Sequence, residues 1–325
     1  MMEGKIENPV ISVVMSVFNG ETYLESAIES VLNQTFTNFE FIIINDHSTD
    51  KTSEILQKMV ENDNRILVFE KPINKGFKGF VENLNLGISK ARGKYIARMD
   101  ADDLCLPDRL ERQLAFLEKN KEVFLVGTSM SLINEKNEET GEMIALSGLE
   151  EIKKRTRIDN PIFHPTILFR NEADLFYREK MYACEDFDFH LRNLSEKRIL
   201  RNLSGKLLKY RILNDSISRG GNGFVKRLFL EQAKIFFIQR EKFGKDSYDD
   251  FDENEFLNIL NPEFENKKTY LIFAAQVAVL YKKQDELNQI LEKLSSQHQY
   301  SSLYFNLNRV RSFNKMFSFA KRKFR

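Results

Sequence analysis

The feature that most constrains the fold of this chain is an alternation. In the first hundred residues, short β-branched and apolar runs (residues 10–18, 39–44, 65–69 and 94–99) alternate with segments of helical spacing. One such segment, residues 21–32, carries Tyr23, Leu24, Ala27, Ile28, Val31 and Leu32; residues 50–61 and 77–91 are the others. Runs that are apolar throughout suit strands buried on both faces, and strands joined through helices lie parallel. The expected fold class is therefore α/β: a Rossmann-like, mainly parallel sheet with helices on both faces. Asn19-Gly20, Asn74-Lys75-Gly76 and Gly93 punctuate it as turns or helix stops.

Downstream, the spacing predicts helices over 107–120, 150–158 and 186–194 and strands over 123–133 and 163–169. Residues 134–148 read as a loop or hairpin, and 203–213 as strand or extended chain. The glycine-rich tract 218–223 reads as a hinge, after which helical patterns dominate: 224–243, 252–260, 267–283 and 285–295. The expected division is a catalytic, ligand-binding domain over 1–220 and a smaller helical domain over 221–325, the latter offering a homodimer interface through its helices.

Net charge is +1, so no global field favours nucleic acid. Cys105 and Cys184 have no pairing pattern and read as free thiols in a reducing compartment. The four histidines include no pair at metal-ligand spacing, which argues against zinc. The polar N-terminus lacks a signal-peptide core, and the apolar-rich run 270–281, broken by Gln276, is too short to span a bilayer. The expected location is cytoplasmic.

The fourth strand run ends in Asp100-Ala101-Asp102-Asp103, three carboxylates in four residues. Acids crowded at a strand end repel one another, and a divalent cation relieves that repulsion. Asp100 and Asp102 would share a side only on extended backbone; a turn would separate them. The competing reading is a cap, with Asp102 or Asp103 serving the helix near Pro107. The strand immediately before the cluster favours metal. Asp46 closes the second strand run, placed either to accept a bond from a base or ribose or to serve its turn. Ser16 and Phe18 end the first run, where Phe18 is a base-stacking or a core residue. Glu185 and Asp186 open a helix, as a general base aimed at the cleft or as acids favourable at a helix start. His164, before Pro165, reads as structural.

Together these motifs resemble the family 2 glycosyltransferases of the GT-A fold. The resemblance rests on residues 11–20, 44–50, 74–76, 91–96 and 100–103, then His164-Pro165, Glu185-Asp186, Tyr210-Arg211 and 216–218. It covers roughly 9–218, and the later motifs look like those of bacterial enzymes that build surface polysaccharides. It implies inverting transfer of a hexosyl group from a nucleotide-diphosphate sugar, with UDP the expected nucleotide, to a glycan or lipid-linked acceptor. By position, Ser16 and Phe18 would border the base and Asp46 would bond it. Asp100 and Asp102, with Asp103 beside them, would hold Mg²⁺ or Mn²⁺. Asp186, in the Glu185-Asp186 pair, would be the catalytic base. Three positions depart from the common pattern: Asn45 replaces a first acid, Leu84 a basic residue before Asn85, and Leu213 a histidine after Tyr-Arg. Lys75 or Lys78 could supply the contact that Leu84 does not.

Residues 309–325 hold seven Lys or Arg and no acid, interleaved with Val310, Phe313, Met316, Phe317, Ala320 and Phe324. Such an amphipathic segment suits an anionic membrane surface, which would make the protein peripheral on the inner face; packing on the domain is the plainer reading. Two other functions compete with sugar transfer. A nucleotidyltransferase would normally show a Gly- and Arg-rich loop after the first strand, where this chain has Phe18-Asn19-Gly20-Glu21. A GT-A module that binds without catalysis is the second.

Overall fold

The computed structural model describes residues 7–213 and 223–298. The chain divides into two compact units, Met1–Arg219 and Gly220–Arg325.

The first unit opens with β1 (Ile11–Val17), α1 (Leu24–Leu32), β2 (Phe39–Asn45), α2 (Thr52–Asn62), β3 (Ile66–Glu70), α3 (Gly76–Lys90) and β4 (Tyr95–Asp100). It continues through β5 (Leu104–Cys105), α4 (Arg109–Lys119), β6 (Val123–Ile133), β7 (Glu139–Met143), α5 (Leu149–Thr156), β8 (Leu168–Arg170), α6 (Glu185–Ser195) and β9 (Ile199–Arg211). One sheet holds all nine strands in the order β3-β2-β1-β4-β8-β6-β9-β5, with β7 on β6. The stretch β3-β2-β1-β4 is parallel, as the apolar runs imply. Beyond β4 the sheet is mixed: β8 runs antiparallel to β4 and β6, and β6 runs parallel to β9.

Each face buries its own core. On β1, Ile11, Val13, Met15 and Val17 pack with α1, α2 and α4, while Val14 packs with α3, α5 and α6. That is the period-two alternation of a strand covered on both sides. At Gly87 in α3, a Cβ would stand 2.3 Å from Val14 Cγ1. The missing side chain lets α3 approach β1 closely, which brings Asn83 to Ser16.

The expected strand over 163–169 forms only in part. Its first half is a 3-10 turn, His164–Thr166, with Thr166 donating through N–H and hydroxyl to the Phe163 carbonyl at 3.0 and 2.8 Å. Pro165 has no N–H for a ladder, so pairing begins only at β8. Within residues 134–148, Glu139–Met143 form β7, the hairpin limb that pairs antiparallel with β6. Cys105 and Cys184 are both buried and outside any disulfide.

The second unit comprises α7 (Gly223–Phe243), α8 (Glu253–Leu257), α9 (Lys268–Leu280) and α10 (Gln284–His298). Phe229, Phe236, Phe251 and Phe256 stack edge to face in its core. The buried Lys293 ammonium donates to the carbonyls of Asn258, Ile259 and Asn261, satisfying the chain end that follows α8. Among the described residues no helix is long and apolar enough to cross a membrane. Residues 218–222 of the expected hinge, and the basic segment 309–325, lie outside the described residues.

Candidate active site

β1, β2 and β4 end at one rim: Ser16 is in register with Ile44 on one side and Asp100 on the other. Along β4, Tyr95, Ala97 and Met99 face the α1/α2/α4 core, so Ile96, Arg98 and Asp100 face the α3/α5/α6 side. The chain turns after Asp100, yet the turn does not separate the acids. One carboxylate oxygen from each of Asp100, Asp102 and Asp103 lies within 4.8 Å of the others. Arg211 at the end of β9 holds the turn: its N–H donates to Asp103 Oδ1 and its Nε to the Asp102 carbonyl, both at 2.8 Å. Its guanidinium also reaches the Asn134 carbonyl and Asn137 Oδ1 and lies 4.2 Å over the Tyr23 ring. The bond to β9 replaces the helix cap considered from sequence, and no side chain caps α4.

The electrostatics of this cluster suit a cation. Burial, followed by the charge of Asp100, raises Asp102 to about 6. Burial and its two neighbours raise Asp103 well above the usual carboxylate range. Asp103 Oδ2 is buried and accepts no hydrogen bond. Hard oxygens with surplus negative charge and an orphaned acceptor fit Mg²⁺ or Mn²⁺. Asp103 is fully buried and half committed to Arg211, whereas Asp100 and Asp102 are only partly buried, which favours the latter two as direct ligands.

Glu185 and Asp186 form the first turn of α6. Asp186 Oδ1 accepts the Phe187 N–H at 2.7 Å, and its Oδ2 accepts the Asn160 amide at 2.6 Å. Burial, then the adjacent Asp186 charge, pushes Glu185 up to about 8. Asp186 is raised by burial, offset by the Phe187 N–H and the charge of Arg98. Burial therefore biases Glu185 toward its protonated form, while the Phe187 N–H and the Asn160 amide favour the ionised form of Asp186. His164 Nε2 meets the Tyr177 hydroxyl at 2.9 Å, and its Nδ1 lies 3.7 Å from Glu185. Burial drives His164 well below the usual imidazole range, which favours the neutral ring.

The remaining sequence candidates lie along the rim beside α3. Asn83 donates to Ser16 Oγ at 3.0 Å. The Asp46 N–H bonds the Val17 carbonyl at 2.8 Å, and its Oδ2 accepts the Asn74 amide at 3.0 Å. Asp46 Oδ1 is buried without a hydrogen bond, and burial raises this carboxyl. Phe18 is 50% exposed, which excludes the core reading. Leu84 is 1% exposed and packs inside the α3/α5/α6 core. Lys75 bonds Glu82 at 3.0 Å.

Arg98 was not singled out from the sequence, and it ties the site together. It is 6% exposed, ion-paired with Asp100, and lies 5.6 Å over the Phe80 ring. Its charge acts on Asp102, Asp103, Glu185 and Asp186, so both acid groups lie within reach of one guanidinium. The available signal was a cation two residues before Asp100 in an otherwise apolar strand, hence on the same face. Asn83 and Asn160 were also missed, and Arg211 was noted only within the Tyr210-Arg211 motif and given no role; their partners lie far away in sequence.

A family model described as Glycosyl transferase family 2 matches residues 12–182. The chain is 36% identical over 239 residues to the O-antigen biosynthesis glycosyltransferase WbnJ of Escherichia coli, spanning 70% of this chain and 91% of that one. Among solved structures, S. aureus TarS 1–349 in complex with UDP-GlcNAc aligns with a TM-score of 0.58 at 16% identity, over 89% of this chain and 91% of that one. The mannosyltransferase PcManGT of Pyrobaculum calidifontis, in complex with GDP-Man and Mn²⁺, aligns at 0.53 and 13% identity, over 97% and 86%.

Proposed function

The chain belongs to glycosyl transferase family 2, and from that premise we propose that it moves a hexosyl group from a nucleotide-diphosphate sugar, UDP-linked, to a hydroxyl of a glycan or lipid-linked acceptor, with inversion, in the building of a cell-surface polysaccharide. The observation that carries this reading is the convergence of Asp100, Asp102 and Asp103 with Glu185 and Asp186 around Arg98. The names of the relatives support the polysaccharide and nucleotide-sugar parts. Nothing in the family match supports a nucleotidyltransferase.

Asp100 and Asp102, with Asp103 behind them, hold Mg²⁺ or Mn²⁺ in this reading. The cation, when bound, offsets the charge that grows on the departing diphosphate. Ser16, Phe18 and Asp46 border the base and ribose: Phe18 offers an exposed ring, and Asp46 a carboxylate oxygen, Oδ1, outside its Asn74 bond. Asp186 takes the proton of the acceptor hydroxyl as its oxygen bonds the anomeric carbon from the face opposite the leaving group. The bond to the diphosphate breaks with its electron pair, which inverts the centre. A carboxylate in hydrogen-bond reach contributes on the order of 10²–10⁴ in rate.

The test separates binding from chemistry. UDP, GDP and dTDP, each with and without Mn²⁺, are compared by thermal shift on wild type and D186N. One nucleotide should stabilise both proteins in a Mn²⁺-dependent manner, by about 2.7 kcal/mol at a hundred times its Kd. D186N should release nucleotide from the matching sugar donor at least about 10²-fold more slowly. Equal turnover by both proteins would remove Asp186 from the reaction, and the absence of any metal-dependent shift would remove the metal site.

A further inference from the structure

Asn160 lies between α5 and α6, one residue before Pro161. Its Nδ2 donates to Asp186 Oδ2 at 2.6 Å, and its Oδ1 stands 2.9 Å from His190 Nδ1. His190 is one turn along α6 from Asp186, fully buried, and its Nε2 has no hydrogen-bond partner among the described residues. The direction of each bond follows from chemistry. An ionised carboxylate only accepts, so the Asn160 amide nitrogen must face Asp186. The Asn160 oxygen then faces His190, which must present a proton on Nδ1 and leave Nε2 bare.

We infer that Asn160 and His190 are positioning residues: a one-way relay, His190 Nδ1–H to Asn160 to Asp186, that fixes the orientation of the catalytic carboxylate. The inference rests on the reading of Asp186 as base. His190 suits a permanently neutral end to the relay, because burial lowers its pKa to about 3. A neutral imidazole orients the amide without adding a charge that would quench the base. Each bond polarises the next, and the amide's donation to an ionised acceptor is the strong link. The 2.7 Å bond from Phe187 pins the other carboxylate oxygen, so rotation of Asp186 is restrained from two sides.

The experiment begins with ¹⁵N-histidine NMR on the full chain, which has four histidines. The signal that disappears in H190N should report a neutral imidazole protonated on Nδ1, unchanged from pH 6 to 8. A neutral ring protonated on Nε2 overturns the relay whatever the activity of any variant. Kinetics then use whichever of UDP-glucose, UDP-N-acetylglucosamine and GDP-mannose wild type hydrolyses fastest with Mn²⁺. N160A and N160D should lower kcat by about 10²-fold with donor KM within about twofold, since a misaligned base loses rate and not affinity. H190F should lower kcat, and H190N, whose amide nitrogen replaces Nδ1, should recover most of it. Wild-type kcat in N160A and N160D beside an inactive D186N refutes the relay and spares the base. Wild-type kcat in D186N refutes the base itself.

Discussion

Among single residues, Glu185 gives a pH signature. Its carboxyl, ordinarily near 4.5, is held up to about 8 in the folded chain. Between those values the folded state keeps a proton that the unfolded chain has released, so this group's contribution to stability falls as pH rises. Asp103, also raised, acts in the same sense. His190 and His164 act in the opposite sense, but only below their ordinary 6.5; above it they are neutral in both states. From pH 6.5 to 8, metal-free protein should therefore lose stability by at most ~1.4 kcal/mol per pH unit from Glu185. Urea unfolding in EDTA at the two pH values should show the loss in wild type and a smaller one in E185Q; equal losses would contradict the assignment. The acids of this site were legible in the sequence because Asp100 ends a strand, Asp102 and Asp103 follow it at once, and Glu185 and Asp186 start a helix. The groups that set their behaviour were not, since Arg98 reaches Glu185 and Asp186 across nearly ninety residues of chain.

At the scale of elements, β1 to β4 and the helices between them follow from apolar runs and helical spacing. The element that escaped is short. The two residues of β5 are below any detectable period and only the partner β9 makes them a strand, while of the expected strand over 163–169 only the end pairs, as β8. The packing of α3 on β1 was equally hidden, because a glycine inside a helical pattern does not reveal which surface it meets. There the energetics can be decided. Alanine at Gly87 gains about 1 kcal/mol in helix propensity, but its Cβ would meet the buried Val14 at 2.3 Å, and overpacking costs about 1–3 kcal/mol. The clash should win: G87A should lower stability by up to ~2 kcal/mol. Paired with V14A, its effect should be less than additive in a double-mutant cycle. Stabilisation by G87A alone would show that α3 can shift and that Asn83 is not fixed at Ser16 by this contact.

For the molecule as a whole, the two units have different kinds of core. The first is a sheet covered on both faces, and the second a helical group built around phenylalanine rings. The family match ends at residue 182, within the first unit. The sequence beyond contributes the basic segment 309–325. Seven cations and interleaved aromatic residues predict attachment to anionic lipid, where a lipid-linked acceptor would reside. Truncation before Arg309 should abolish co-sedimentation with phosphatidylserine-containing liposomes at low salt while leaving donor hydrolysis in solution intact. Undiminished sedimentation would assign any membrane contact elsewhere.

The pairing of Arg98 with Asp100 bears on how such a protein comes into being. Small zinc-dependent domains cannot assemble until their ion arrives, because nothing else balances their ligands. Here one balancing charge, Arg98 against Asp100, is encoded in β4 itself. On the proposed reading, the sheet of the first unit can form before any ion arrives, with Arg98 offsetting part of the charge that the ion would later share.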